Sequence, residues 1–219
     1  MKIKIITLMV IVVSMISFTM IIQASANRID LNGYRIYIDA GHGGKDNGAY
    51  SGNVVEDSIN LSISKFLVSE LVEYGAYVYT SRDGDYDLAS NYDKNRKAKD
   101  LKKRVELINS IRPDLFVSIH LNTFMDSSVK GGQIFYQNND ASMLLANILQ
   151  DKFNDISKEN KKTKYGDYYL LNNTNSVGVI IECGFLTNKE DLLNLINENY
   201  QRKISRSISE GIYEYFQKD

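Results

Sequence analysis

In YRIYIDAGHGGKDNGA, residues 34–49, a largely apolar run ends in a glycine-rich loop. The run over 34–40 predicts a short buried strand, and the glycines after it mark a sharp turn. His42, one of two histidines in the chain, lies in that turn, where it contributes little to packing. This placement indicates chemistry at the end of a strand.

Strand-like and helix-like patterns alternate on the C-terminal side of this stretch. Strands are predicted at 34–40, 76–81, 114–122, 131–137 and 178–185, and helices at 54–75, 98–111, 141–156, 189–197 and 200–217. Such alternation is typical of an α/β fold, a sheet covered by helices whose active residues collect at the carboxyl ends of the strands. Two polar stretches, 82–100 and 157–176, interrupt the pattern and are either substrate-facing loops or plain linkers. Tyr165, Tyr168 and Tyr169 in the second either line a groove or pack ordinarily.

The composition limits the possible functions. The chain has 219 residues, of which 43% are hydrophobic, and this length fits one domain. A formal net charge of -1 without a basic block argues against nucleic acid as a partner. The single cysteine, Cys183, excludes an intrachain disulfide and a cysteine-rich zinc site. Any metal must therefore be held by histidines and carboxylates.

The N-terminal residues 1–26 resemble an export signal. Lys2 and Lys4 precede an apolar run over 5–22, and the small residues at 24–26 fit a signal peptidase site. An uncleaved membrane anchor is the alternative, because the run is nearly long enough to cross a bilayer. Either interpretation places the remaining domain, 27–219, outside the cytoplasm, with the membrane involved only through an uncleaved segment.

Three residues are candidate metal ligands. His42 follows one predicted strand and His120 ends another, so both should lie at the same edge of the sheet. Glu56 lies in the first turn of the long helix after the glycine loop, where a carboxylate suits the helix dipole. Two histidines and a carboxylate form a ligand set suited to Zn²⁺. Taken singly, each residue also has an ordinary structural interpretation.

Glu182, in the segment VIIECGF (179–185), is the candidate general base and acid. A carboxylate at the end of an apolar strand either faces the site or is buried without a partner, and the second case is costly. A structural ion pair is the alternative for this residue. Cys183 beside it is interpreted as inert packing.

Four segments, IYIDAGHGGKDNGA, VVEDSINLSIS, LFVSIHLN and VIIECGFLTNKED, resemble the successive motifs of the zinc-dependent N-acetylmuramoyl-L-alanine amidases that cleave peptidoglycan. The resemblance extends from about Arg35 to Phe216. It implies a mixed, mostly parallel sheet flanked by helices in a single domain. It also implies zinc on His42, Glu56 and His120, with Glu182 as the catalytic residue.

The segment over 81–110 resembles the germination-specific amidases of spore-forming bacteria, a subgroup that acts in the spore cortex during formation of muramic-δ-lactam. This implies an enzyme in the forespore intermembrane space or cell envelope, and we also expect that an extracytoplasmic protein partner could help hold the metal. Two alternatives stay open at this point: another zinc peptidase or deacetylase of the wall, and a catalytically silent wall-binding module. Arg82 and Arg104 either contact substrate carboxylates or pair with local acids.

Overall fold

A computed structural model describes residues 29–90 and 92–218, and Leu31 onward forms one compact unit. The predicted signal peptide at 1–26 lies outside the described residues and stays a prediction. Within the described ranges, no helix is both long enough and apolar enough to cross a membrane. The strands are β1 Arg35–Ala40, β2 Tyr50–Ser51, β3 Val54–Val55, β4 Tyr77–Thr80, β5 Leu115–Asn122, β6 Gln133–Tyr136, β7 Lys164–Tyr165 and β8 Val177–Phe185. The helices are α1 Glu56–Glu73, α2 Arg96–Ile111, α3 Asp140–Ser157, α4 Tyr169–Asn173, α5 Lys189–Leu195 and α6 Glu198–Lys218.

Six of the strands form one mixed sheet in the order β4-β1-β5-β8-β6-β7. The first four of these run parallel, β6 runs antiparallel to β8, and β7 is parallel to β6. The expected mixed, mostly parallel α/β sheet is therefore confirmed. The central strands β1, β5 and β8 are buried along most of their length, which explains their nearly continuous apolar runs.

Helices cover both faces of the sheet. On one face α1 and α3 pack against the sheet, and α6 packs against both of these helices. On the other, α2 and α4 close over a cluster in which Tyr37, Phe116 and Ile180 from the strands meet apolar side chains of both helices. Residues 37, 39, 116, 118, 120 and 180 share this second face because side chains alternate along a strand. The predicted site residue His120 therefore lies on the face of the sheet that α2 and α4 cover.

The structure refines three predicted segments. Helix α1 begins at Glu56 and not at Val54, because Val54 and Val55 pair with Tyr50 and Ser51 in a small hairpin. The polar stretch 82–100 includes the first residues of α2, whose start is capped by the Asn95 side chain. The stretch 157–176 contains β7 and the short α4, so it is partly structured. Single-sequence patterns missed these pieces because each is too short to show a repeating pattern.

Candidate active site

Two carboxyl ends of neighbouring parallel strands bring the histidines together. His42 follows β1 and His120 lies near the end of β5, and their ring centroids are 5.0 Å apart in an edge-on arrangement. Glu56 reaches the same point from the first turn of α1. One ligand atom from each of these three side chains lies within 4.8 Å of the other two. This geometry forms a possible metal site.

The Glu56 carboxylate is fixed by hydrogen bonds to both of its oxygens. Its Oε1 lies 3.0 Å from His120 Nδ1 and accepts the Leu121 backbone N–H at 3.0 Å, and His42 Nε2 is 3.3 Å from the same oxygen. Its Oε2 accepts the Ala49 N–H at 2.8 Å. Burial alone would raise the pKa of Glu56, but the hydrogen bonds from His120 and His42 hold it well below its usual value. The group is therefore an anion, as a metal ligand must be.

Asp46 orients the His42 ring. Its Oδ2 lies 3.0 Å from His42 Nδ1, which leaves Nε2 directed toward Glu56. A carboxylate on the far nitrogen of a histidine is a frequent arrangement around bound metals, because it sets the tautomer and the ring orientation. Partial burial favours the neutral acid, yet the His42 contact lowers the pKa of Asp46. Asp46 was not predicted from the sequence, although its spacing of four residues from His42 within the glycine loop was a usable signal.

His42 has a backbone φ of 62°, in the left-handed region that few side-chain-bearing residues adopt. Such strain persists only where the surrounding contacts enforce it, and it is concentrated at functional sites. Here the enforcing contacts are a bridge between Gly43 and Asp46 and the Arg104 guanidinium, which donates to the His42 carbonyl at 2.7 Å. The conformation turns the His42 ring toward Glu56.

Two glycines leave the space that the site requires. A Cβ built on Gly41 would lie 2.3 Å from His120 Cε1, so only glycine allows the His120 ring to rest against β1. A Cβ on Gly48 would lie 2.5 Å from Glu56 Oε2 and 2.7 Å from His42 Cδ2, and the φ of this glycine is 67°. The glycine-rich loop over 41–48 therefore packs tightly around the side chains of His42, Glu56 and His120, and we call it the cradle.

Two buried arginines hold the backbone of the cradle. Arg104 pairs with Asp39 at 2.5 Å and with Asp100 at 2.7 Å, and it also donates to the carbonyls of Ala40 and His42. Arg82 Nε donates to the Ala40 carbonyl, and its Nη2 donates to those of Gly41 and Asp57. Arg104 thus pairs with local acids, one of the two predicted alternatives, while Arg82 binds backbone carbonyls. Both guanidinium groups support the loop that carries His42.

Glu182 lies in register with His120 on the adjacent parallel strand β8. Its Oε2 is buried and has no hydrogen-bond partner within the ranges 29–90 and 92–218. Burial, opposed by the His120 charge and assisted by the Glu56 charge, raises the pKa of Glu182 to about 7. A carboxyl group with a pKa near neutrality, facing a cavity, is able to accept and return a proton.

A cavity of about 340 Å³ opens over the metal-site residues and Glu182. Its far wall is built by α2 and by Tyr168 and Tyr169, so the second polar stretch does reach the site. The structure thus brings together all four residues predicted from the sequence, His42, Glu56, His120 and Glu182. Their roles as ligands and as base stay predictions. Cys183 is fully enclosed, and burial raises the pKa of its thiol well above normal, which is consistent with the packing role expected.

An α/β sheet that gathers two histidines and a buried carboxylate in a possible metal site, beside a second carboxyl group without a hydrogen-bond partner in the described ranges, has the arrangement of a hydrolase active site. The family model described as N-acetylmuramoyl-L-alanine amidase matches residues 36–214. The chain therefore belongs to the N-acetylmuramoyl-L-alanine amidase family, and it is an enzyme of that activity, with a peptidoglycan amide as substrate.

Individual relatives agree with this assignment. The germination-specific N-acetylmuramoyl-L-alanine amidase of Bacillus subtilis (strain 168) is 37% identical over 194 residues, which cover 86% of this chain and 82% of that protein. The CwlD amidase of Clostridioides difficile, solved in complex with the GerS lipoprotein, superimposes with a TM-score of 0.82 at 34% identity, covering 85% of this chain and all of that one. An N-acetylmuramoyl-L-alanine amidase of Clostridium difficile 630 gives a TM-score of 0.76 at 32% identity, over 85% of this chain and 98% of that one.

Proposed function

We propose that this enzyme uses zinc to hydrolyse the amide bond between the lactyl group of N-acetylmuramic acid and L-alanine. The observation that carries the proposal is the juxtaposition of a His-Glu-His cluster with Glu182, whose buried Oε2 has no partner in the described part of the chain. A protein that only bound the wall would have no use for an isolated buried carboxyl group, which is costly to keep.

The residues present fit a zinc ion. Two imidazole nitrogens and one carboxylate oxygen converge within 4.8 Å, and the backbone at Gly41 and Gly48 leaves room that any side chain would fill. Three protein ligands with one remaining position are typical of catalytic zinc. His42, Glu56 and His120 would hold the ion, which when bound supplies a Lewis acid toward the amide carbonyl and the attacking water.

Glu182 is assigned the proton transfers. Its carboxylate accepts a proton from the attacking water and delivers it to the departing nitrogen of L-alanine. Both steps are within the capacity of a group whose pKa burial raises to about 7, because neither its acid nor its base form is then strongly disfavoured at neutral pH. The products are a free lactyl carboxylate and a released stem peptide.

Mass spectrometry of peptide-bearing peptidoglycan tests the proposal. The purified chain with zinc should release peptides that begin with L-alanine, and the Glu182→Ala variant should release none while retaining its metal. Release of other fragments would instead indicate a zinc peptidase or deacetylase. If the folded, zinc-loaded chain released nothing, alone or with a candidate partner protein, the hydrolytic role would be rejected in favour of a wall-binding module.

The similarity to the germination-specific amidase of Bacillus subtilis and to the CwlD amidase of Clostridioides difficile supports a role in the spore cortex, in formation of muramic-δ-lactam. We place the protein outside the cytoplasm, in the forespore intermembrane space or cell envelope, with residues 1–26 as its export signal or anchor and 27–219 as the zinc amidase domain. The neighbour's complex with a lipoprotein supports an extracytoplasmic protein partner for this chain as well. Peptidoglycan from spores of a deletion strain should then lack the lactam.

A further inference from the structure

A second groove of about 530 Å³ borders the cavity over the metal-site residues, and Asn122 lines both. Its walls combine three lysines, Lys161, Lys162 and Lys164, with three phenylalanines, Phe124, Phe135 and Phe185. The groove lies beside the start of β6, where Gln133 is in register with Glu182. A ligand cleaved beside Glu182 can therefore continue directly into this groove.

The groove carries the positive charges of three lysine side chains. Lys162 and Lys164 are exposed, and neither forms an ion pair with any residue in the described ranges. The Lys161 ammonium is 4.2 Å from the Phe185 ring centroid and donates to the Gly131 carbonyl. Lys161 and Lys164 line the same groove, and both burial and the Lys164 charge lower the pKa of Lys161.

The acids nearest to Lys161 are already engaged. Asp191 accepts the backbone N–H groups of Gly131 and Phe185, each at 2.8 Å. Glu159 pairs with Lys130 at 3.5 Å. These acids act on Lys161, whereas Lys162 and Lys164 have no ion-pair partner in the described ranges and stay open to an anionic ligand beside the apolar phenylalanine rings.

The chemistry of the substrate identifies which part fits. In peptidoglycan the N-acetylated glycan is uncharged once its lactyl carboxyl group is in amide linkage, whereas the stem peptide carries free carboxylates. A peptide extends by about 3.3–3.6 Å per residue, so the residues that follow L-alanine extend away from the scissile amide along the adjoining surface. We propose that this lysine-lined groove binds the carboxylates of the stem peptide on the leaving-group side of the scissile amide. The inference rests on the proposed function, since it assumes cleavage beside Glu182.

The test compares a soluble muropeptide having free stem carboxylates with the same compound after their amidation. The full-length, zinc-loaded chain is measured beside K162Q/K164Q and beside the control K65Q/K203Q, which removes two exposed lysines of α1 and α6. K162Q/K164Q should raise KM for the anionic substrate roughly three- to tenfold, as loss of two exposed charge contacts predicts, with kcat nearly unchanged. Added salt should raise KM for the anionic substrate with the parent and change it little with K162Q/K164Q.

The amidated substrate separates the possible outcomes. The parent and K162Q/K164Q should cleave it with the same KM, and K65Q/K203Q should match the parent on both substrates. If K162Q/K164Q raised KM equally for both substrates, the groove would bind neutral glycan and the proposal would be overturned. An unchanged KM for both substrates would also overturn it. If the parent released no peptide from either substrate, the proposed function itself would be rejected. That result differs from a change of KM in the variant alone.

Discussion

Glu182 and His120 occupy directly paired positions on the parallel strands β8 and β5, so their side chains emerge from the same face of the sheet. One strand thus carries a candidate ligand and the next a candidate base. Because both strands are buried in the centre of the sheet, their spacing is set by backbone hydrogen bonds and not by flexible loops. This rigidity suits a reaction in which a proton must move between defined positions.

Replacing Glu182 with glutamine should remove turnover and leave metal binding intact. Glutamine retains the shape of the side chain but cannot accept the water proton, so kcat should fall by about 10²–10⁴-fold. Peptide release and zinc content per chain are the two measurements. Near-parental turnover in E182Q would refute the proton-transfer role.

Activity should also fall as the medium becomes acidic. Burial raises the pKa of Glu182 to about 7, and protonation below that value removes the base. A bound cation would lower this pKa, so the acidic limb of kcat/KM should lie at or below about pH 7. A pH profile flat from pH 4 to 8 would be inconsistent with a single titrating base.

Loss of either histidine ligand should abolish metal retention. His42→Ala or His120→Ala leaves two donors, which is too few for a stable catalytic zinc site. Metal analysis after dialysis should show zinc in the parent and little in either variant, with circular dichroism unchanged. Chelation of the parent should remove activity, and added zinc should restore it. Zinc content equal to that of the parent would place the ion elsewhere.

A single methyl group at Gly41 should disrupt the site while preserving the fold. Its Cβ would lie 2.3 Å from the His120 ring, so the ring must move away from Glu56. We expect Gly41→Ala to retain zinc poorly and to lose most activity. Gly84→Ala is a suitable control, because its Cβ would meet only the movable Tyr86 ring at 3.2 Å. Full zinc retention in Gly41→Ala would show that the site does not require a glycine at this position.

Acid should destabilise the protein through Asp39. Burial favours its neutral form, but the Arg104 guanidinium and the Ser118 hydroxyl outweigh burial and lower the pKa of Asp39 from 3.8 to about 2. The unfolded chain binds this proton more tightly than the folded one, so the stabilisation is present above about pH 4 and is lost as the pH falls toward 2. Its size is about 2 kcal/mol.

Urea unfolding at pH 6 and at pH 3 measures this effect. Asp39→Asn should be less stable than the parent at pH 6, and its stability should change less between the two pH values. The same pH dependence in both proteins would show that Asp39 is not the responsible group.

The sequence by itself determined which residues lie at strand ends and what chemistry they offer. Alternating apolar patterns are local, so β1, β5, β8 and the long helix α1 were predictable to within two residues. The scarcity of histidine made His42 and His120 conspicuous, and Glu56 and Glu182 followed from their positions relative to those elements.

The tertiary structure alone decided how these groups are held. The left-handed backbone of His42, the arginine network around it and the register that places Glu182 opposite His120 all depend on contacts between residues far apart in the chain. The lysine groove likewise forms only when the segment at 161–164 folds against β6 and the end of β5. Sequence patterns report the preferences of neighbouring residues, whereas these features arise from packing between distant ones.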